Sequence, residues 1–146
     1  MAQQSKIELA KQLIISEFSF LEKQGFELSF KRLKDETFIE YMEIEYCNSE
    51  KKRKVSIGYS KGKVYKDIKY TFDVSVTRLP YLNVKDIFTL WIYLKSINKD
   101  FSTSMVNHFD AKEAEVILKK IASAVKEYMS EIISGNEWFD NYWPRW

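Results

Sequence analysis

The sequence contains very little cysteine, glycine or proline. Its 146 residues include one cysteine, four glycines and two prolines. A single cysteine, Cys47, cannot form a disulfide within the chain, so nothing in the sequence requires an oxidising compartment. The scarcity of glycine and proline excludes collagen-like chains and flexible linker arrays.

A long apolar run and a secretory signal are also missing. The longest apolar-rich window, residues 87–94, is far shorter than the roughly 20 residues that cross a bilayer. Residues 1–11 are polar and mixed in charge, whereas a signal peptide combines a basic start with an apolar stretch. We therefore predict a cytoplasmic protein with no membrane partner.

The sequence holds no complete catalytic or metal-binding motif. One histidine, His108, and one cysteine cannot supply a usual zinc site. Hydroxyl residues 102–104 lie near His108 but form no nucleophile motif, and Gly58 and Gly62 match neither phosphate-binding motif. We therefore predict no catalytic residue, no metal and no cofactor, and we expect that the protein is not an enzyme.

The residues that are present fit one ordinary globular domain. Hydrophobic residues make up 45% of the chain, aromatic residues 16% and charged residues 30%, with a net charge of only +2. Such a composition excludes intrinsic disorder, and the length supports a core without disulfides or a structural metal. Because the sequence shows no internal repeat and no linker, we predict a single domain over residues 1–146.

Hydrophobic periodicity predicts the secondary structure. A capping box at Ser5 begins a helix over about residues 5–24, and Gly25 ends it. Apolar and polar residues then alternate in four predicted strands, around residues 26–30, 38–47, 55–59 and 70–76. Two further helices are predicted, one capped by Asn83 that continues to Leu94 and one over about residues 110–134.

The order of these elements predicts an α+β fold. Strands that cluster in sequence and are joined by short turns favour an antiparallel meander with one buried face. We expect an N-terminal helix, a four-stranded sheet, two C-terminal helices packed on one sheet face and a short aromatic tail. The polar residues 98–107 are predicted to form a loop.

Two neighbouring segments carry opposite charge. Residues 27–50 hold seven acids and three bases, whereas residues 51–69 hold eight bases and one acid. Three glutamates of the acidic strand are candidates for binding a protein partner: Glu40, Glu43 and Glu45. The alternative is a solvent-facing strand whose acids are neutralised by the basic strand beside it.

The basic segment suggests a second kind of site. Its lysines could bind phosphates while the interleaved tyrosines stack on bases, so nucleic-acid binding is an alternative function. A solvated hairpin whose lysines prevent edge-to-edge aggregation explains the same pattern. The candidate residues are Lys51, Lys52, Arg53, Lys54, Lys61, Lys63, Lys66 and Lys69.

The C-terminal tail concentrates aromatic residues. Five of its last nine residues are Trp138, Phe139, Tyr142, Trp143 and Trp146. Rings of this size bury a large apolar area if they find a pocket, so the tail is predicted either to fold back onto the core or to anchor a partner. A partner bound in this way could be a second copy of the chain, which would give a homodimer.

We therefore predict a small protein-interaction module. A concrete version is a bacterial immunity-type protein that neutralises a toxin through the acidic strand or the aromatic tail. Nucleic-acid binding through the basic hairpin is the first alternative. The second is an enzyme or small-ligand binder whose site, for example a pocket lined by Tyr41, Tyr59, Trp91 and a carboxylate, cannot be recognised from sequence.

Overall fold

A six-stranded antiparallel sheet carries helices on one of its faces. The computed structural model describes residues 5–32, 37–99 and 101–139. The helices are α1 (Lys6–Glu17), α2 (Ser19–Lys23), α3 (Leu90–Ser96), α4 (Ala111–Tyr128) and α5 (Ser130–Ile133). The strands are β1 (Glu27–Arg32), β2 (Glu40–Asn48), β3 (Arg53–Val64), β4 (Asp67–Arg78), β5 (Ile87–Thr89) and β6 (Ser104–Val106). The fold is therefore α+β, as the sequence predicts.

The sheet contains six strands rather than the four that were predicted. Strands β1 to β4 form the expected antiparallel meander. Two short strands, β5 and β6, also pair with β4, at Ser75–Thr77 and at Lys69–Thr71 respectively. Strand β6 lies inside the predicted loop at residues 98–107. Each added strand has three residues, which is too short for an alternating pattern to stand out in the sequence.

The predicted second helix begins later than expected. Asn83 does act as a cap, because its side chain accepts a hydrogen bond from the N–H of Lys85, but it caps a single 3₁₀ turn. The next residues form β5, since they pair with Ser75–Thr77 of β4. Helix α3 then starts at Leu90, where Thr89 Oγ1 accepts a hydrogen bond from the N–H of Ile92.

The first and last predicted helices are present, each with one interruption. Ser5 caps α1, and Phe18 separates α1 from α2 before Gly25, with φ of +89°, ends the segment. Glycine adopts this left-handed conformation without steric cost. In the last helix, Met129 separates α4 from α5.

The apolar core lies between the helices and one face of the sheet. Helix α1 packs against α4 and against β2 and β3, while α4 also contacts β4 and β6. Alternate strand residues point into this core, among them Met42, Ile44, Ile57, Phe72 and Val74. Among the described residues, no helix is both long and apolar enough to cross a membrane.

The opposite side of the sheet is polar, and we call it the open face. Along each strand, every second residue points to this side. The open face is formed by Tyr41, Glu43, Glu45, Ser56, Gly58, Ser60, Thr71, Asp73 and Ser75. These residue types tolerate contact with water or with a polar partner, so this side of the sheet can carry a site.

Two tyrosines in the core give a first testable prediction. The hydroxyls of Tyr46 and Tyr59 are buried and have no hydrogen-bond partner among the described residues. Burial is the main factor that raises the pKa of both hydroxyls. An unsatisfied buried hydroxyl costs about 1–3 kcal/mol. We expect Tyr46→Phe and Tyr59→Phe each to raise the free energy of unfolding by about 1 kcal/mol, measured by urea denaturation.

Tyr93 supplies the matched control for this prediction. Its hydroxyl donates a hydrogen bond to the carbonyl oxygen of Tyr128 at 3.1 Å. Removal of that hydroxyl in Tyr93→Phe is expected to lower the free energy of unfolding by about 1 kcal/mol. Equal destabilisation by all three substitutions would contradict the prediction and indicate that the two core hydroxyls are satisfied.

Candidate ligand-binding site

The outer edge of β4 is incompletely covered. Strands β5 and β6 pair with its two ends, and within the described part of the chain residues 72–74 between them have no ladder partner on that edge. The N–H of Phe72 donates a hydrogen bond to the carbonyl oxygen of Thr103, at 3.0 Å, just before β6. The gap between the two short strands opens into a cavity of about 810 Å³. This volume lies within the range of small-molecule sites.

The cavity combines core and surface side chains. Five apolar residues belong to the buried core: Phe72, Val74, Leu90, Leu94 and Ile121. Polar groups come from β4, β5 and β6, namely Lys69, Thr71, Asp73, Thr89 and Ser104. The rings of Trp91 and Phe101 also line the cavity, and Trp91 is 43% exposed. An apolar base with a few polar groups is the usual composition of a ligand pocket.

Asp73 lies beside a strand glycine that makes room for its carboxylate. Gly58 of β3 is directly opposite Asp73 in the register, and its N–H donates a hydrogen bond to the carboxylate. A Cβ atom at position 58 would overlap Asp73 Oδ1, and it would also lie 3.6 Å from the hydroxyl of Tyr41. The position of the carboxylate therefore depends on the absence of a side chain at Gly58.

A second carboxylate lies on the other side of the same glycine. Glu43 of β2 pairs with Gly58, so Glu43 and Asp73 flank it on the open face. Tyr41 donates a hydrogen bond to Glu43 Oε1 at 3.0 Å. Desolvation raises the pKa of Asp73 and the charge of Glu43 adds to this, while the Gly58 N–H partly opposes both. Asp73 is nevertheless exposed to solvent and lines the cavity.

The raised pKa of Asp73 predicts a pH dependence of stability. The folded protein holds this proton more tightly than the unfolded chain, so stability falls as pH rises from the unfolded pKa through the folded one. We expect Asp73→Asn to be more stable than the wild type at neutral pH and to flatten this slope. Urea denaturation at several values between about pH 4 and pH 7 measures how the free energy of unfolding of each protein changes with pH. Identical slopes in both proteins would contradict the assignment.

The three glutamates predicted to bind a partner do not share one surface. Glu43 and Glu45 are on the open face, whereas Glu40 alternates to the helix-covered side and lies 4.0 Å from Lys61. Glu45 is only 8% exposed, and its Oε1 lies 3.2 Å from Lys31 Nζ and 3.7 Å from Lys54 Nζ. Glu40 and Glu45 are thus paired with lysines, and partner binding by the three glutamates stays a prediction.

The eight basic residues are divided between the two ends of β3. This strand has twelve residues and is therefore about 40 Å long. One group, Lys51, Lys52, Arg53 and Lys54, lies at its beginning, and the other, Lys61, Lys63, Lys66 and Lys69, lies around its end. Arg53 is only 6% exposed and donates to the carbonyl oxygens of Ile132 and Glu137. The structure therefore does not bring the eight residues into one patch.

Two aromatic residues of the predicted tail pack onto the core. The ring centroids of Trp138 and Phe139 lie 5.2 and 5.3 Å from that of Phe88. Trp138 Nε1 donates a hydrogen bond to the carbonyl oxygen of Lys85 at 3.0 Å. The other three aromatic residues, Tyr142, Trp143 and Trp146, lie outside the described residues.

His108 belongs to an exposed cluster at the beginning of α4. Its Nε2 lies 3.7 Å from Glu113 Oε2, and potential ligand atoms of His108, Asp110 and Glu113 lie within 4.8 Å of one another. The carboxylate of Asp110 accepts hydrogen bonds from the N–H groups of Lys112 and Glu113. This arrangement is explained by capping of the helix.

The sequence does not indicate that Asp73 and Trp91 line the same cavity. Trp91 falls within the predicted second helix, and Asp73 has no diagnostic spacing to another carboxylate. Of the two tyrosines in the hypothetical pocket, Tyr41 binds Glu43, whereas Tyr59 is buried on the other side of the sheet beside Phe72. The available signal was Gly58, because a glycine inside a strand often marks a close approach.

No protein-family model, curated protein or solved structure gives a significant match to this chain. Inferences about function therefore rest on the geometry of the site itself.

Proposed function

We propose that the protein binds a small polar molecule in the cavity at the edge of β4. The observation that carries this proposal is an exposed carboxylate, Asp73, which has a raised pKa and lines a cavity based on core side chains. Titratable groups with shifted pKa values cluster at functional sites, and a cavity of this composition is the usual place for a ligand.

The lining groups define the chemistry of the ligand. Ionised Asp73 accepts hydrogen bonds, and the hydroxyls of Thr71 and Thr89 can donate or accept them. Trp91 and Phe101 offer flat apolar surfaces. A compound with several hydroxyl or amine donors on a compact ring, such as a monosaccharide or a nucleoside, satisfies both requirements.

Ligand-observed NMR with a panel of monosaccharides and nucleosides tests this proposal directly. Saturation transfer to a panel member is expected with the wild type and is expected to disappear in Asp73→Asn and Trp91→Ala. Asp67→Asn is the matched control, because Asp67 is on the same strand but outside the cavity lining. Transfer that is equal in all four proteins, or absent from the whole panel, would contradict the proposal.

Gly58→Ala gives a sharper prediction for the same site. The new methyl group would displace the Asp73 carboxylate from its present position. Loss of one charge-assisted hydrogen bond to the ligand costs about 1.5–3 kcal/mol, so we expect affinity to fall by about 10- to 100-fold. Titration by isothermal calorimetry, with the monosaccharide or nucleoside that gives the strongest transfer, measures the change.

Gly62→Ala controls for the effect of a methyl group in β3. Gly62 lies on the same strand and the same face, but a Cβ there would meet the ring of Phe38 at 3.3 Å rather than Asp73. We expect the affinity of this variant to be unchanged. If both alanine variants lose affinity equally, distortion of the sheet rather than the position of Asp73 is responsible.

A protein-interaction module is the second candidate function, and a specific loop favours it. Tyr81 and Val84 are more than half exposed, and Leu82 is 77% exposed. Asp86 holds this loop by accepting hydrogen bonds from the N–H of Leu82 at 2.9 Å and from Arg78 Nε at 3.0 Å. Exposed apolar side chains on a rigid loop reduce the entropic cost of binding.

An immunity-type role, with a toxin as partner, is one form of this second proposal. Capture with the tagged protein from lysate of its source cells, with nuclease added, is expected to enrich one stoichiometric protein. Leu82→Asp should abolish this enrichment. Val116→Asp, on an exposed position of α4, should retain it. Enrichment that survives Leu82→Asp would exclude the loop as the binding surface.

A further inference from the structure

The turn between β3 and β4 carries an exposed tyrosine at its tip. Val64 pairs with Asp67, so Tyr65 and Lys66 form a two-residue turn. Tyr65 is 94% exposed and has a φ of +56°, a conformation that bulky side chains rarely adopt. A strained and fully exposed aromatic residue is better explained by a contact outside the chain than by stability.

Asn107, the residue after β6, holds this turn in place. The side chain of Asn107 accepts a hydrogen bond from the N–H of Ile68 at 2.9 Å and donates one to Asp67 at 3.0 Å. Its own N–H donates to the carbonyl oxygen of Ile68 at 2.7 Å. The turn is therefore a fixed projection, and its acid, Asp67, already has a hydrogen-bond partner.

Apolar and basic side chains surround Tyr65. Val64 and Val106 are each about half exposed, and Val106 pairs with Lys69 on the open face. Three lysines are exposed and form no ion pair with any residue in the described ranges: Lys63, Lys66 and Lys69. We call Lys63, Val64, Tyr65, Lys66, Lys69 and Val106 together the hairpin tip. The hairpin tip thus combines three exposed apolar side chains with three exposed lysines.

We propose that the hairpin tip docks onto the surface of an anionic lipid bilayer. Tyrosine is enriched at the membrane–water interface, where its ring is buried and its hydroxyl stays wet. The two valines enter the same region, and the lysines contact the headgroups. This mode of contact needs no membrane-spanning segment, and for that reason the sequence arguments against a membrane partner do not exclude it.

A nucleic acid fits the hairpin tip less well. The two valines cannot stack on bases as an aromatic ring does, and the tip contains no arginine for bidentate phosphate contacts. Along the open face, Asp73 and Glu43 lie between the basic residues at the two ends of β3. A strand of phosphates following this face would meet both carboxylates, whereas a bilayer touches only the tip.

Flotation with lipid vesicles tests the proposal. The full-length protein is mixed with vesicles of phosphatidylcholine alone or of phosphatidylcholine with phosphatidylserine. We expect binding to the anionic vesicles only, and a decrease at high salt. We expect each of the single variants Lys63→Gln, Lys66→Gln and Lys69→Gln to weaken partitioning onto anionic vesicles about fivefold, which corresponds to about 1 kcal/mol. Replacing Lys51, Lys52 and Lys54 by glutamine at the other end of β3 should have little effect.

Tyr65→Gly separates binding from folding. Glycine removes the ring and adopts a positive φ without strain, so this variant should be at least as stable as the wild type. We expect it to lose about tenfold in partitioning, and Tyr81→Ser, an exposed tyrosine elsewhere, to lose none. Equal binding to neutral and anionic vesicles, or unchanged binding of Tyr65→Gly, would overturn the proposal. If the protein binds polyuridylate through the same three lysines and does not bind vesicles, the partner of the hairpin tip is a nucleic acid and the bilayer proposal is wrong.

Discussion

Replacing Arg53 by methionine is expected to lower the free energy of unfolding by about 3 kcal/mol. The Arg53 guanidinium donates to the carbonyl oxygens of Ile132 at 2.7 Å, Lys52 at 3.0 Å and Glu137 at 3.0 Å. Methionine keeps an apolar stem of similar length but leaves these three acceptors without their donor. Urea denaturation at neutral pH measures the loss.

The surroundings of Arg53 explain why this effect should be large. Burial, with a smaller contribution from nearby Arg78, lowers the pKa of Arg53, but an arginine stays charged in proteins. Carbonyl oxygens and the ring of Trp138, with its centroid 5.0 Å away, are the groups that stabilise this charge. Arg53 therefore connects the beginning of β3 to α5 and to the segment after it.

Lys54→Met is the matched control for Arg53→Met. Lys54 is the next residue, but it points to the open face, where its Nζ lies 3.7 Å from Glu45. Partly exposed ion pairs contribute at most about 1 kcal/mol. If the free energy of unfolding falls equally in the two methionine variants, the prediction is wrong, because the buried hydrogen bonds of Arg53 then contribute no more than an exposed ion pair.

Replacing Trp138 by alanine is also expected to cost about 3 kcal/mol, at the lower end for a tryptophan because the ring is only partly buried. The guanidinium groups of Arg53 and Arg78 both lie over its ring, at 5.0 and 4.8 Å from its centroid, and the ring is edge-on to Phe88. In a domain of this size, such a loss lowers the melting temperature by about 10 °C, which differential scanning calorimetry measures.

Trp91→Ala provides the control with the same change in side chain. Because Trp91 is 43% exposed at the cavity, its loss should cost about 1 kcal/mol or less. Combining Trp138→Ala with Arg53→Met should give less than the sum of the two effects, since both remove the same stacking contact. Additive effects, or a larger loss in Trp91→Ala, would contradict the described packing.

Long periodic elements could be predicted from the sequence because each of them buries one face. The last helix, from about residue 110, and the alternation in β2 to β4 can be predicted for this reason. The short strands β5 and β6 were missed. They form because β4 has a free edge to pair with, and a three-residue segment carries no pattern of its own.

The cavity could not be predicted, because it is a gap between two strands that were themselves not predicted. Its position follows from the register of β5 and β6 on β4. The burial of Arg53, in contrast, can be predicted from the sequence. Counting by twos from Val55 and Ile57 places Arg53 on the buried side of β3, although it lies within a run of basic residues.

The helices that cover the sheet come from opposite sides of the meander in the chain, α1 before it and α4 after it. During synthesis, the four strands of the meander are therefore translated before α4. At roughly 5–20 residues per second, several seconds separate the translation of Arg78 from that of Tyr128. Throughout that interval the apolar side of the nascent sheet lacks the cover of α4, and the core can be completed only after α4 has emerged.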